Sequence, residues 1–216
     1  MEGLGQKTKI VSFDVDGTLV DAEFNDLVWL EEIPLLYAEK EGISFKEAYR
    51  FILGEYEKIG EKDLRWYDMN YWLRTFGIDR SYNEILQKYE EKIEIYPDAR
   101  AILEALKESF PMIVITVMPR EFLEIKLKRL NSYFSETFST ISDFKDVKTS
   151  HVYSEICLRL NIEVDELLHV GDSWQMDYLE PVKAGVKAFY IDRTGGKEGD
   201  NVIKSLEELT PLLKRP

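Results

Sequence analysis

Hydrophobic residues along this chain fall into two rhythms. Short, nearly continuous apolar runs occur at residues 9 to 15, at MIVITV from Met112, at LLHVG from Leu167 and at KAFYID from Lys187. Runs of this length, bounded by Gly, Pro or Asp, read as strands. A fifth strand is expected near Phe138 to Ile141. Between the runs, apolar residues recur at helical spacing over about 99 to 109, 120 to 130, 149 to 161 and 174 to 184. Strands alternating with helices predict an α/β protein: a Rossmann-like parallel sheet of about five strands with helices on both faces.

Residues 22 to 95 break the alternation and read as helix throughout. Two capping boxes, Ser44-Phe-Lys-Glu47 and Ser81-Tyr-Asn-Glu84, each place a hydroxyl and a carboxylate where they satisfy reciprocal backbone donors at a helix start. Four helices fit, over about 24 to 40, 45 to 59, 64 to 76 and 82 to 94, with Gly42, Gly60 and Gly77 following three of them. Tyr96-Pro97-Asp98 closes the segment and starts the next helix. Two units are therefore expected: a core made of residues 1–21 and 96–216, and an all-α cap, a helical bundle over 22–95, inserted after the first strand. No internal repeat or low-complexity tract interrupts either.

Composition narrows the function. At 216 residues and 44% hydrophobic content, the chain is long enough to bury a substantial core. A formal charge of −13 disfavours a nucleic-acid backbone as partner, because phosphates seek basic surfaces. The single cysteine, Cys157, excludes an internal disulfide and fits a reducing compartment. The opening MEGLGQKTKIVSF carries no long apolar stretch before the first aspartate, and no run of about 18 apolar residues occurs. A cytoplasmic protein, monomer or homodimer and not bound to membrane, is expected. Abundant Lys and Glu with little Gln point weakly toward a thermophile.

Chemistry enters with VSFDVDGTLV at residues 11 to 20. Two carboxylates one residue apart at the end of a strand repel, and must be solvated, protonated or shared with a cation. Open parallel sheets bind ligands beyond the carboxyl ends of their strands. Candidates stand there in order: Asp14 and Asp16, then Thr116, then Lys148 before a helix, then Gly171-Asp172-Ser173-Trp-Gln-Met-Asp177. Singly, each has an ordinary explanation as a strand-end hydroxyl, a solvated lysine or a turn and capping residue. Together they converge on one chemistry.

FDVDGTLVD, IVIT, the lysine of DVKTSHVY and HVGDSWQMD resemble, in the same order, the four motifs of the haloacid dehalogenase-like superfamily. The resemblance covers about residues 8 to 20 and 97 to 193, and the helices between look like the α-helical cap that many members carry. Two departures stand out. Thr116 is followed by Val-Met where relatives often carry small polar residues, and Lys148 by Thr where Pro is frequent, with Lys145 near enough to compete.

The resemblance implies a Mg²⁺-dependent phosphatase acting on a small phosphorylated metabolite. The residues suit that chemistry. A carboxylate nucleophile, assigned to Asp14, splits one hard displacement into two easier ones. Mg²⁺ neutralises an anion approaching an anion through oxygen ligands; the resemblance implies Asp14, Asp172 and the Asp16 backbone carbonyl, with Asp177 as a further ligand or an outer acceptor. Asp16 marks the reaction type, because expelling an alkoxide needs a proton that carbon–halogen cleavage does not. Thr116 and Lys148 would hold the phosphoryl oxygens, and Thr18 would bond Asp14 or Asp16. A phosphomutase would share every one of these residues, and a low-turnover binding protein would share the fold.

Other residues read as structural. His169 is a strand histidine, His151 a helix-surface one, and Cys157 a small buried hydrophobe. Trp29, Trp66, Tyr67, Tyr71 and Trp72 recur at helical spacing and mostly pack the cap, with one or two placed to meet the substrate.

Overall fold

In the computed structural model, which describes residues 4–213, the apolar runs become β1 (Ile10–Phe13), β2 (Met112–Thr116), β3 (Glu136–Ser139), β4 (Leu167–Gly171) and β5 (Lys187–Ile191). A sixth strand, β6 (Val202–Ile203), joins them, where about five were expected. Two residues carry no readable periodicity. What makes them a strand is pairing: Tyr190 N–H donates to Asn201 O, and Asp192 N–H to Ile203 O. The sheet is wholly parallel in the order β3-β2-β1-β4-β5-β6. β2 and β4 are buried at every position, as strands covered on both faces must be.

β3 starts two residues earlier than expected, at Glu136. Its end is set by Ser139, whose side chain caps the turn Thr140–Asp143 by accepting from Ser142 N–H. Helices Pro97–Leu106, Arg120–Leu127 and Ser150–Arg159 fall inside the expected spans or within two residues of them. The helix expected over 174 to 184 is instead a π-helical turn, Trp174–Leu179, running into Glu180–Ala184. Pro181 is the physical reason. A proline ring collides with the carbonyl four residues back, here Asp177, and widening the turn relieves it. The widened bond runs from Glu180 N–H to Gln175 O.

The insertion repeats this device. Its first helix runs over residues 23–41 and contains the π-helical stretch Leu27–Glu32 just before Pro34, with Ile33 N–H donating to Val28 O. Helix Phe45–Ile59 follows, with the expected capping box closed between Ser44 and Glu47. The box expected at Ser81 does not close: Ser81 caps helix Tyr82–Tyr89 by accepting from Asn83 N–H alone. The helix expected over 64 to 76 is broken into Leu64–Tyr67 and Met69–Phe76 at extended Asp68, whose carboxylate caps Tyr71 N–H at 3.0 Å. The helix expected to reach residue 94 ends in the turn Glu90–Lys92.

The insertion leaves and re-enters the core side by side. Asp21 N–H donates to Glu94 O, Tyr96 N–H donates to Leu19 O, and Val20 bridges Ile95. One apolar cluster runs without a gap from Val11 and Phe13 on β1 through Phe24 and Val28 to Ile52, Tyr56 and Trp72 in the insertion. Among the described residues, no helix is long and apolar enough to cross a membrane. Cys157 is buried and unpaired with another cysteine.

Candidate active site

The strand order reverses direction between β1 and β4, and at such a point the connections diverge and leave a crevice beyond the strand ends. Asp14 lies there, its N–H donating to Val170 O of β4 at 2.9 Å. Beyond it the chain tightens. Leu19 and Val20 N–H both donate to Val15 O, and Gly17 N–H donates to Val20 O. Gly17 takes φ +68°, and a Cβ on it would sit 2.0 Å from Asp172 Oδ2. Only glycine suits that backbone and that proximity. Gly171 serves Asp177 in the same way, since a Cβ there would lie 2.3 Å from Asp177 Cγ.

The tight turn is stapled by Arg193, two residues beyond the end of β5. Arg193 donates to Gly17 O at 2.9 Å and to Thr18 O at 2.7 Å, pairs with both oxygens of Asp98, and lies 3.7 Å over the ring of Tyr96. Thr18 Oγ1 is buried and finds no partner among the described residues, so the expected bond to Asp14 or Asp16 is not made.

Three carboxylates converge. Asp14, Asp172 and Asp177 each offer an oxygen within 4.8 Å of the others. Burial pushes the Asp14 carboxyl up to about 7, against the pull of Lys148 and with the push of Asp177 and Asp172. Asp172 is exposed at the residue level, yet desolvation of its carboxyl and the charge of Asp177 push it up to about 6. Asp177 behaves oppositely: burial would raise it, but Lys148 and His169 outweigh burial and hold it down to about 2.

Lys148 sits at the centre, 2% exposed, donating to Asp14 Oδ1 at 2.7 Å and to Asp177 Oδ1. Burial alone would lower the ammonium, but the two carboxylates overcome it and keep it charged. The Lys145 ammonium donates instead to Ser142 O at 3.0 Å. Thr116 is buried at the end of β2 and its hydroxyl accepts from Met118 N–H. Behind Lys148 runs a chain of polar contacts that sequence reading took as structural. His169 Nε2 meets Asp177 Oδ1 at 2.9 Å, and its Nδ1 meets Ser12 Oγ at 2.8 Å. Burial lowers the imidazole pKa, which favours the neutral ring.

Asp16 points elsewhere. Its carboxylate accepts from the ammonium of Lys126 and, at 2.6 Å, from Asn25 Nδ2. Sequence reading did not single out Lys126; it shares the apolar stripe of Phe122, Leu123 and Leu127, and a lysine in that phase was the available signal. A cavity of about 440 Å³ opens over Asp14, Asp16 and Thr116, walled by Trp29, Leu53, Trp66 and Tyr67 of the insertion and by Phe122 of the core. Trp29 stacks on Phe122 at 5.6 Å. Asp26 and Glu57 line the cavity too, and no Lys or Arg does among the described residues. Trp72, by contrast, is buried packing.

Comparison with known proteins agrees with this architecture. The haloacid dehalogenase-like hydrolase family matches residues 8–185. A phosphatase of that family from Thermococcus onnurineus superposes with a TM-score of 0.86 at 30% identity, covering 95% of this chain and 98% of its own. GMP/IMP nucleotidase YrfG of Escherichia coli is 24% identical over 171 residues, 78% of this chain and 76% of its own. A dehalogenase shares the fold, with a TM-score of 0.64 at 21% identity over 97% of this chain and 98% of its own. The six-stranded parallel sheet, the helical insertion after its first strand and the match across four fifths of the length make this chain a member of the haloacid dehalogenase-like hydrolases.

Proposed function

We propose that this hydrolase is a Mg²⁺-dependent phosphatase that cleaves a small phosphorylated metabolite through an aspartyl-phosphate on Asp14. The observation that carries the reading is Asp16: a second carboxyl on the wall of the cavity that Asp14 opens into. Phosphate monoesters release an alkoxide and need a proton donor there; halides do not. The lining supports the same choice. A 2-haloacid brings a carboxylate that a cation must meet, whereas the lining side chains with charge are acidic and the nearby Lys148 and Lys126 are already paired.

A divalent cation fits the donor set. Burial, reinforced by the repulsion among the three clustered carboxylates, pushes Asp14 and Asp172 toward the protonated form, and all-oxygen donors suit Mg²⁺. Asp14, Asp172 and the Asp16 carbonyl would hold it. Asp177 has one oxygen on Lys148 and His169 and the other on Ser173 N–H, which suits it to fixing Lys148. When bound, the ion supplies positive charge that offsets the meeting of nucleophile and phosphate.

The chain's own residues do the rest. An Asp14 oxygen forms a bond to phosphorus while the ester oxygen leaves, and Asp16 gives that oxygen its proton. Water then attacks the phosphorus of the aspartyl-phosphate, Asp16 takes the water's proton, and phosphate departs with Asp14 restored. Lys148 and Thr116 hold phosphoryl oxygens. Residues 22–95 serve as a cap that shields these steps from bulk water and selects the substrate.

The organic part of the substrate follows from the walls. Trp29, Trp66, Tyr67 and Phe122 offer flat apolar surface, and Asp26 and Glu57 repel a second anion. A flat, uncharged group such as a nucleobase fits, in keeping with the nucleotidase relative. A panel of phosphorylated metabolites assayed for phosphate release with Mg²⁺ tests this. Nucleoside monophosphates should be hydrolysed in preference to phosphoglycolate; preference for doubly anionic small acids would overturn it.

A further inference from the structure

Lys126 is an unusual lysine. It projects from the apolar stripe of helix Arg120–Leu127 and its side chain is 0% exposed. An ammonium buried this deeply is retained only where partners compensate it. Its hydrogen-bond and ring partners among the described residues form one small constellation: Asp16 Oδ1, Asn25 Oδ1 at 2.7 Å, and the ring of Phe24 at 5.1 Å. Asn25 Nδ2 in turn donates to Asp16 Oδ2 at 2.6 Å. The three side chains close a ring. Each carboxylate oxygen has its own donor, and the two donors bond each other.

The ring joins two parts of the chain. Lys126 belongs to the core, while Asn25 stands in the first turn of the insertion, a few residues beyond the paired crossing at Asp21 and Glu94. We infer that Lys126 and Asn25 are positioning residues for Asp16: Lys126 anchors the carboxyl from the core, and Asn25 completes its orientation when the insertion is seated over the cavity. The inference rests on the reading of Asp16 as the acid that protonates the leaving group.

The chemistry allows the ring to persist during that step. A carboxyl oxygen has two acceptor positions, and Asn25 uses one on Oδ2. The other remains for the proton that goes to the leaving group. Lys126 holds Oδ1 by a charge-assisted bond, the stronger kind, so the group pivots neither away from the cavity nor into it. Small errors in such an orientation are costly, about 100-fold for a displacement of about 1 Å.

The test compares p-nitrophenyl phosphate, whose leaving group needs no proton, with glycerol 2-phosphate, whose leaving group does. Asn25→Ala is the primary variant, since Asn25 is half-buried and packs no core. Lys126→Met is the second, with circular dichroism to establish that it folds. Asp16→Asn is the reference. Each variant should lower kcat on glycerol 2-phosphate at least about 10-fold further than on p-nitrophenyl phosphate, with KM little changed. A merely structural role would lower both substrates together. If Asp16→Asn shows the selective loss and Asn25→Ala does not, the positioning role is wrong. If Asp16→Asn itself lowers both equally, the acid assignment falls and takes this inference with it. Should Lys126→Met fail to fold, Asn25→Ala decides alone.

Discussion

Gly17 and Gly171 show how much of the site depends on missing atoms. Both lie where a carboxylate of the acidic cluster occupies the space a Cβ would need. Gly17→Ala meets a second obstacle, since its backbone sits at φ +68°. Such strain costs about 1–2 kcal/mol, so thermal unfolding of Gly17→Ala should show a loss of at least that size. Its hydrolytic activity should fall further than its stability, because Asp172 must move aside; activity equal to the parent would show that the turn tolerates the displacement. The FDVDGTLVD and HVGDSWQMD motifs in the sequence announced these glycines and the aspartates around them. Lys126 and His169 were not announced. Their types are ordinary on helices and in strands, and only the apolar phase of Lys126 and the wholly apolar neighbours of His169 in LLHVG hinted that each was buried with a partner.

At the scale of elements, prolines decide where helices widen. Pro34 and Pro181 each follow a π-helical turn, one of which carries Trp29 of the cavity wall and the other Asp177. Periodicity placed both helices correctly but was blind to the widening, because an extra residue in one turn scarcely changes an apolar stripe. The break at Asp68 escaped for a related reason: its neighbours keep helical spacing, and the residue stops the helix with a cap rather than a change of pattern. A second element-level link is the staple between Arg193 and Asp98. Burial pushes the Asp98 carboxyl up, but Arg193, Leu206 N–H and Ser205 outweigh burial and hold it below its ordinary value. A depressed carboxylate contributes stability that is present above about pH 4, the unfolded value, and is lost as pH falls through the folded value. Arg193→Ala should therefore lower stability at neutral pH by about 1.5–3 kcal/mol. The difference from the parent should shrink on acidification, as measured by denaturant unfolding across that range. A difference that stays constant with pH would show that the pair contributes through packing alone.

For the whole molecule, the sequence conveyed the parallel sheet, the place of the insertion and its helical character, because apolar runs and capping residues report local structure. It did not convey how firmly the insertion is seated. A continuous apolar cluster, the Trp29–Phe122 stack and the bond from Lys128 to Glu90 at 2.6 Å join it to the core. Replacing residues 22–95 with a short Gly-Ser loop should thus expose apolar core. In a folded, soluble variant, some Mg²⁺-dependent hydrolysis of aryl phosphates should survive while discrimination among metabolites collapses. Loss of even that activity in a variant that still binds Mg²⁺ would show that the insertion supplies a chemical group. Beneath the predictions on hydrolysis lies the claim that Asp14 attacks phosphorus with a divalent cation beside it. Phosphate release from p-nitrophenyl phosphate by the intact protein, followed as chelator and then excess Mg²⁺ are added, tests it most directly. Turnover should stop with the chelator and return with Mg²⁺; undiminished release in excess chelator would contradict the account.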